Sequence, residues 1–249
     1  MTEIQEAIVA ELTKYSLNSP TVYGLVLIGS SATGLSDAYS DLDFWVTVKD
    51  EHEKNVINQI ENVLSKIGQI DSRFHFHDTN KWLGRTIFHL KGTPAWHKIE
   101  IAIAPLSNSY LYTKGLDAPV KVLVNKDNTV SFKELDEESL NKAMQAELSY
   151  LKDLFNAQMP EIQKYCHRNK LLEAYEYYET YALRPLVGAL RAVYCPTKQS
   201  FYLKHIYQDL PKEVNKQLED LYTVKSTNDI IVNLNKIHKI ITTLHIDES

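Results

Sequence analysis

The stretch that most constrains this chain runs from Tyr23 to Val48: Tyr-Gly-Leu-Val-Leu-Ile-Gly-Ser-Ser-Ala-Thr-Gly-Leu-Ser-Asp-Ala-Tyr-Ser-Asp-Leu-Asp-Phe-Trp-Val-Thr-Val. It reads as strand, glycine-serine turn, loop and strand. The first strand, Leu25 to Ile28, is a short apolar run that ends at Gly29, and the second starts at Asp41. Side chains two apart on a strand share a face. Asp41 and Asp43 are therefore expected on one side, with Leu42, Phe44 and Val46 on the opposite, buried side. Two adjacent carboxylates repel unless a cation lies between them. The pair calls for a hard divalent ion such as Mg2+, which takes oxygen ligands and shares its shell with phosphates. Gly29 and Ser30 add a turn without bulk, where backbone N–H groups and a hydroxyl can meet phosphate oxygens.

With 249 residues the chain has room for two modest domains or one large one. Its 44% hydrophobic and 24% charged residues are ordinary for a globular protein. A net charge of -5, a pI near 6.0 and the lack of clustered Lys and Arg speak against a nucleic-acid partner. Cys166 and Cys195 have no CxxC spacing and read as reduced structural thiols. No apolar run approaches a membrane span, and Met-Thr-Glu-Ile-Gln-Glu is unlike a signal peptide, so the expected location is cytoplasmic, with no membrane partner.

Ile4, Ile8, Val9 and Leu12 predict a helix over 3–15, ended by Asn18-Ser19-Pro20. Val56, Ile57, Ile60, Val63, Leu64 and Ile67 predict a second over 50–67, closed by Gly68 as a C′ residue. Strand-like pieces follow at 70–77, 86–90, 98–103 and 120–124, with Gly92-Thr93-Pro94 as a hairpin turn. From about Ser131 the pattern turns helical: 134–155, 160–194 with a kink at Pro185, 197–210, 211–224 and 227–246. The expected fold class is α/β (α+β): a mixed β-sheet flanked by helices over residues 1–132, followed by a helical bundle over 133–249.

A third acid belongs with the first two. Glu100 alternates with Ile99, Ile101 and Ile103, so it stands on the polar face of its strand. If that strand neighbours the Asp-Leu-Asp strand, three carboxylates converge. The third would complete a two-metal site or act as general base toward a hydroxyl. In the helical half, Arg184, Arg191, Lys198 and Lys204 surround the break at Cys195-Pro196. Lys198, at the start of a helix where the dipole does not favour a cation, stands first among them. Tyr175, Tyr178 and Ala182 form a helical row with Tyr181 beside it, which reads as core with polar tips rather than a stacking surface. The nine histidines show no metal-ligand spacing; His75 and His77 share a strand face, and His97 stands three residues before Glu100.

The Gly29-Ser30 turn, the ten-residue gap, the Asp41-Leu42-Asp43-Phe44 strand and the later Glu100 strand resemble the signature of the DNA polymerase beta-like nucleotidyltransferase superfamily. The helical second half resembles bacterial aminoglycoside and lincosamide nucleotidyltransferases. Ala118-Pro119-Val120-Lys121-Val122-Leu123-Val124-Asn125-Lys126-Asp127 is similar to a segment that follows the catalytic domain in streptomycin adenylyltransferase-type members. The resemblance implies that residues 1–132 form a catalytic domain in which Gly29 and Ser30 hold the β and γ phosphates of a nucleoside triphosphate. Asp41 and Asp43 would bind Mg2+, with two ions in the full site. Glu100 would be the third carboxylate, as metal ligand or base, and is a departure from the commoner Asp. Lys198 and Arg184 would reach the triphosphate from the helical half. The implied reaction is transfer of AMP from ATP to a hydroxyl of a small molecule such as an aminoglycoside or lincosamide antibiotic, with pyrophosphate released. Two alternatives are an idle nucleotide-binding regulator or antitoxin-like protein, and a protein-modifying nucleotidyltransferase.

Overall fold

The computed structural model describes residues 1–34, 36–76, 84–116 and 119–246. The chain forms two compact units, Met1–Glu134 and Leu135–Ser249. The first begins with α1 (Glu3–Asn18), started by a capping box: Thr2 Oγ1 accepts from the Gln5 N–H, and Gln5 Oε1 accepts from the Thr2 N–H. Then come β1 (Val22–Ile28), the single turn α2 (Ser30–Thr33), β2 (Leu42–Val48) and α3 (Glu53–Ile67). The strands β3 (Ile70–His75), β4 (Gly84–Leu90), β5 (Ile99–Pro105), β6 (Leu111–Thr113), β7 (Val120–Asn125) and β8 (Ser131–Lys133) complete the unit.

Among the described residues the main sheet has the order β3-β4-β5-β2-β1-β7. β2 and β5 run parallel and the other neighbours antiparallel, so the sheet is mixed as the sequence predicts. One face is apolar because the strands alternate. Leu25, Leu27, Leu42, Phe44, Val46, Ile99, Ile101 and Ile103 bury there against Ile8 and Leu12 of α1 and Val56, Ile60 and Leu64 of α3. On the other face Val26, Tyr112 and Val130 form a smaller cluster, with Trp45 packed beside them.

Several local expectations are corrected. Asp41 lies just before β2, so strand alternation fixes the side of Asp43 but not that of Asp41. Gly68 caps α3 with extended backbone, φ −165° and ψ 160°, rather than as a left-handed C′ residue. The three-residue strands β6 and β8, paired in parallel, are too short to show alternation and were not expected from the sequence. The proposed extension of β3 to His77 and the Ala118 that opens the quoted segment lie outside the described residues.

The second unit holds α4 (Glu137–His167), α5 (Leu171–Tyr178), α6 (Arg184–Tyr194), α7 (Ile206–Asp209), α8 (Lys212–Tyr222) and α9 (Thr227–Thr243). α4 runs unbroken through Pro160, where a break was expected. The proline removes one backbone hydrogen bond, but Phe155, Ile162 and Cys166 on the same helix are locked into the core. In place of a simple kink at Pro185, one π-helical turn, Glu179–Leu183, joins α5 to α6. Residues 197–210 are not one helix. A 3₁₀ turn over Pro196–Phe201 gives way to positive φ at Tyr202 (50°) and His205 (61°) before α7. Of the row read as core, Tyr178 and Ala182 are buried but Tyr175 is exposed, and Tyr178 Oη donates to the Leu221 carbonyl at 2.9 Å. Both cysteines are free thiols, and among the described residues no helix is long and apolar enough to cross a membrane.

Candidate active site

Gly29 closes β1 at φ 77° and ψ −146°, a conformation open in practice only to glycine. Its N–H donates to the Pro119 carbonyl (2.9 Å) and its carbonyl accepts from the Ala32 N–H (3.0 Å). The turn is tied to the start of β2, because Ser31 Oγ donates to the Asp41 carbonyl (2.9 Å) and Ser30 Oγ to Ser40 Oγ (3.2 Å). Asp37 organises the loop between them, accepting from the Tyr39 N–H (3.0 Å) and Ser40 Oγ (2.9 Å). Those two bonds hold the Asp37 carboxyl below the usual carboxylate range. The loop is anchored from outside as well. Gln5 Nε2 donates to the Ser40 carbonyl (2.8 Å) and Trp96 Nε1 to the Ala38 carbonyl (2.8 Å), which His97 Nε2 also meets at 3.0 Å.

Asp43 lies opposite Ile28 in the β1–β2 ladder and level with Glu100 in the parallel β2–β5 ladder. Among the described residues other than its two chain neighbours, a Cβ built on Gly29 would have Asp43 Oδ2, at 3.9 Å, as its one neighbour within 4 Å. The absent side chain thus leaves a space bordered by a carboxylate on one side and a backbone turn on the other. Glu100, on the adjoining strand, is engaged: its Oε1 accepts from Arg85 Nε at 2.9 Å, and the Arg85 guanidinium lies over the Phe76 ring, 4.3 Å from its centroid.

Residues 9–95 match the family model of the nucleotidyltransferase domain. The matched segment lies wholly within the first unit. The match spans Gly29, Ser30, Asp41 and Asp43 and stops short of Glu100. No curated protein matches the chain. Among solved structures, an aminoglycoside 6-adenyltransferase from Bacillus subtilis is similar at 15% identity and a TM-score of 0.35, covering 100% of this chain and 94% of its own. A nucleotidyltransferase-like protein from Exiguobacterium sibiricum has 11% identity and a TM-score of 0.36, with 96% and 74% covered. A spectinomycin adenyltransferase from Enterococcus faecialis, solved with ATP and spectinomycin, has 11% identity and a TM-score of 0.35, with 96% and 99% covered.

The oxygen donors beside the Gly29 turn fit Mg2+ in kind. Asp41 and Asp43 are hard carboxylates, the space left at Gly29 adjoins one of them, and Mg2+ is commonly held by one or two carboxylates with waters and phosphates completing its shell. Among the described residues no group of three or more His, Cys, Asp or Glu side chains is gathered so as to hold a metal ion. Glu100 shares a face and a register position with Asp43, yet it is paired with Arg85. Arg85 is the residue that sequence reasoning missed. Its signal was faint: one cation at the start of a β-like run, two strands away in space from the Asp-Leu-Asp motif.

In the second unit three of the four candidate cations, Arg184, Arg191 and Lys198, are paired within the unit. Lys198 Nζ bonds Asp209 Oδ1, and Arg184 Nε bonds Glu179 at 2.8 Å while its guanidinium lies over Tyr202. Arg191 has a structural role. Fully buried, it donates to the carbonyls of Tyr202 and Lys204 and to Asp209 Oδ2 (3.0 Å), which keeps residues 202–205 out of helical geometry.

Proposed function

We propose that this chain is a Mg2+-dependent nucleotidyltransferase that moves AMP from ATP to a hydroxyl of a small molecule, of aminoglycoside or lincosamide type, and releases pyrophosphate. The observation that carries the proposal is the side-chain-free turn at Gly29 set against the Asp43 carboxylate, inside a nucleotidyltransferase domain. Gly29 and Ser30 take the β and γ phosphates. Asp41 and Asp43 hold Mg2+, which supplies charge neutralisation on the transferring and leaving oxygens. Two ions are the fuller version of the proposal. Glu100 turns to the acceptor rather than the metal, because a guanidinium 2.9 Å away repels a second cation.

The hydroxyl oxygen attacks the α-phosphorus as its proton passes to the Glu100 carboxylate. The bond from the α-phosphorus to the bridging oxygen breaks, and that oxygen leaves with the electron pair as part of pyrophosphate. A base so placed contributes roughly 10² to 10⁴ in rate. The net charge of -5 supports a small acceptor over nucleic acid, and the cytoplasm, where ATP is abundant, is the proposed setting.

One observation favours a second reading, that of a nucleotide-binding regulator without turnover: the third carboxylate is already claimed by Arg85. A pyrophosphate-release assay with Mg2+ and each triphosphate, against aminoglycosides, lincosamides and other polyols, separates the two. Turnover with any acceptor supports transfer. Triphosphate binding with no turnover on the whole panel supports the regulator.

A further inference from the structure

The Arg85–Glu100 pair is built from three strands. β4 and β5 are antiparallel, with Arg85 opposite Ala102 and Glu100 opposite Ile87, so the two charged residues are diagonal neighbours on one face. β3 leads into the platform beneath them. The Phe76 N–H donates to the Arg85 carbonyl at 2.9 Å, and the Phe76 ring lies under the guanidinium and meets Phe74 edge-on at 5.0 Å. A planar guanidinium resting on a ring loses much of its freedom before it binds anything. It grips Glu100 through one oxygen only: Nε to Oε1, 2.9 Å. Among the described residues Oε2 has no hydrogen-bond partner.

We propose that Arg85 is a positioning residue: stacked on Phe76, it fixes the Glu100 carboxylate by Oε1 so that Oε2 meets the acceptor hydroxyl beside Asp43. The inference rests on the nucleotidyl-transfer reading and assigns a role that this reading leaves unfilled. It explains how one acid can share a face with Asp43 and yet be kept from the metal. With side-chain exposures of 35% and 27%, the pair contributes little to stability, so its removal tests function rather than folding.

The test is steady-state pyrophosphate release by the full-length wild type, Arg85→Met, Arg85→Lys, Glu100→Gln and the double variant Arg85→Met/Glu100→Gln. Mn2+ binding with a non-hydrolysable ATP analogue is followed in parallel by electron paramagnetic resonance. Arg85→Met is expected to lower kcat about 10- to 100-fold, as a misplaced catalytic group does, with the KM for ATP and Mn2+ binding unchanged within about twofold. Arg85→Lys, which keeps the charge but not the flat fork, recovers only part of the loss. The double variant is expected to be no slower than Glu100→Gln alone, because the two act as a unit. Unchanged kcat in Arg85→Met, additive losses in the double variant, or a loss confined to ATP or Mn2+ binding overturns the inference while leaving nucleotidyl transfer in place. A wild type that turns over no acceptor overturns both.

Discussion

Among the described residues a Cβ at Gly29 would meet only Asp43 Oδ2, at 3.9 Å, so the cost of a substitution there is conformational rather than steric. Gly29→Ala forces an L-residue to φ 77°, ψ −146°, and is expected to cost about 1–3 kcal/mol, read from the urea midpoint. A neutral result would mean that the turn relaxes. Arg191 is the opposite case, a residue defined wholly by its contacts. Its guanidinium and the Asp209 carboxylate are 0% and 3% exposed, and two carbonyls depend on it. Burial pushes the Asp209 carboxyl up, but hydrogen bonds from Lys198 and Arg191 outweigh it and leave it below the usual range. Arg191→Met is expected to destabilise the second unit by about 3–5 kcal/mol, the range for breaking a buried pair. Hydrogen exchange at residues 202–209 reports the effect first, and unaltered protection there would contradict it.

Elements were legible where periodicity reached the surface of the sequence. Leu42-Phe44-Val46 and Ile99-Ile101-Ile103 bury as alternation requires, and that alternation also sets Asp43 level with Glu100. What escaped was set by tertiary partners. Arg191 undoes a helix-like run by taking its carbonyls, and Arg85 claims Glu100 from a neighbouring strand. The β4–β5 hairpin carries another such partnership. His89 Nδ1 meets Asp71 Oδ1 at 2.7 Å, and Nε2 faces the Pro94 carbonyl at 3.0 Å and Thr93 Oγ1 at 3.2 Å. Thr93 Oγ1 itself donates to the Leu90 carbonyl, so its lone pair is turned to the ring. Acceptors on both nitrogens favour the imidazolium, and the Asp71 bond, then the Pro94 carbonyl, raise the His89 pKa. A raised folded pKa stabilises most below the ordinary histidine value, about 6.5, and that contribution is lost as pH rises through the folded value. Wild type is therefore expected to lose stability relative to His89→Gln as pH rises from the ordinary histidine value through the raised folded one. Parallel urea midpoints across that span would contradict the imidazolium.

At the scale of the whole chain, two units each close their own core. Leu25, Phe44, Ile60 and Ile101 belong to the first, and Phe155, Tyr178, Leu186 and Leu234 to the second. The proposed donor chemistry falls to the first unit, where a glycine turn and a carboxylate strand are held in register by the sheet. The most direct measurement is Mg2+-dependent pyrophosphate release from ATP, with mass spectrometry of the acceptor, for wild type and Asp43→Asn. The wild-type acceptor should gain the mass of AMP, and Asp43→Asn should lose activity by a factor on the order of 10³ or more while keeping its thermal midpoint. Activity in Asp43→Asn within about threefold of wild type would contradict the metal-and-phosphate role of this strand, because loss of a metal-holding carboxylate cannot be that mild.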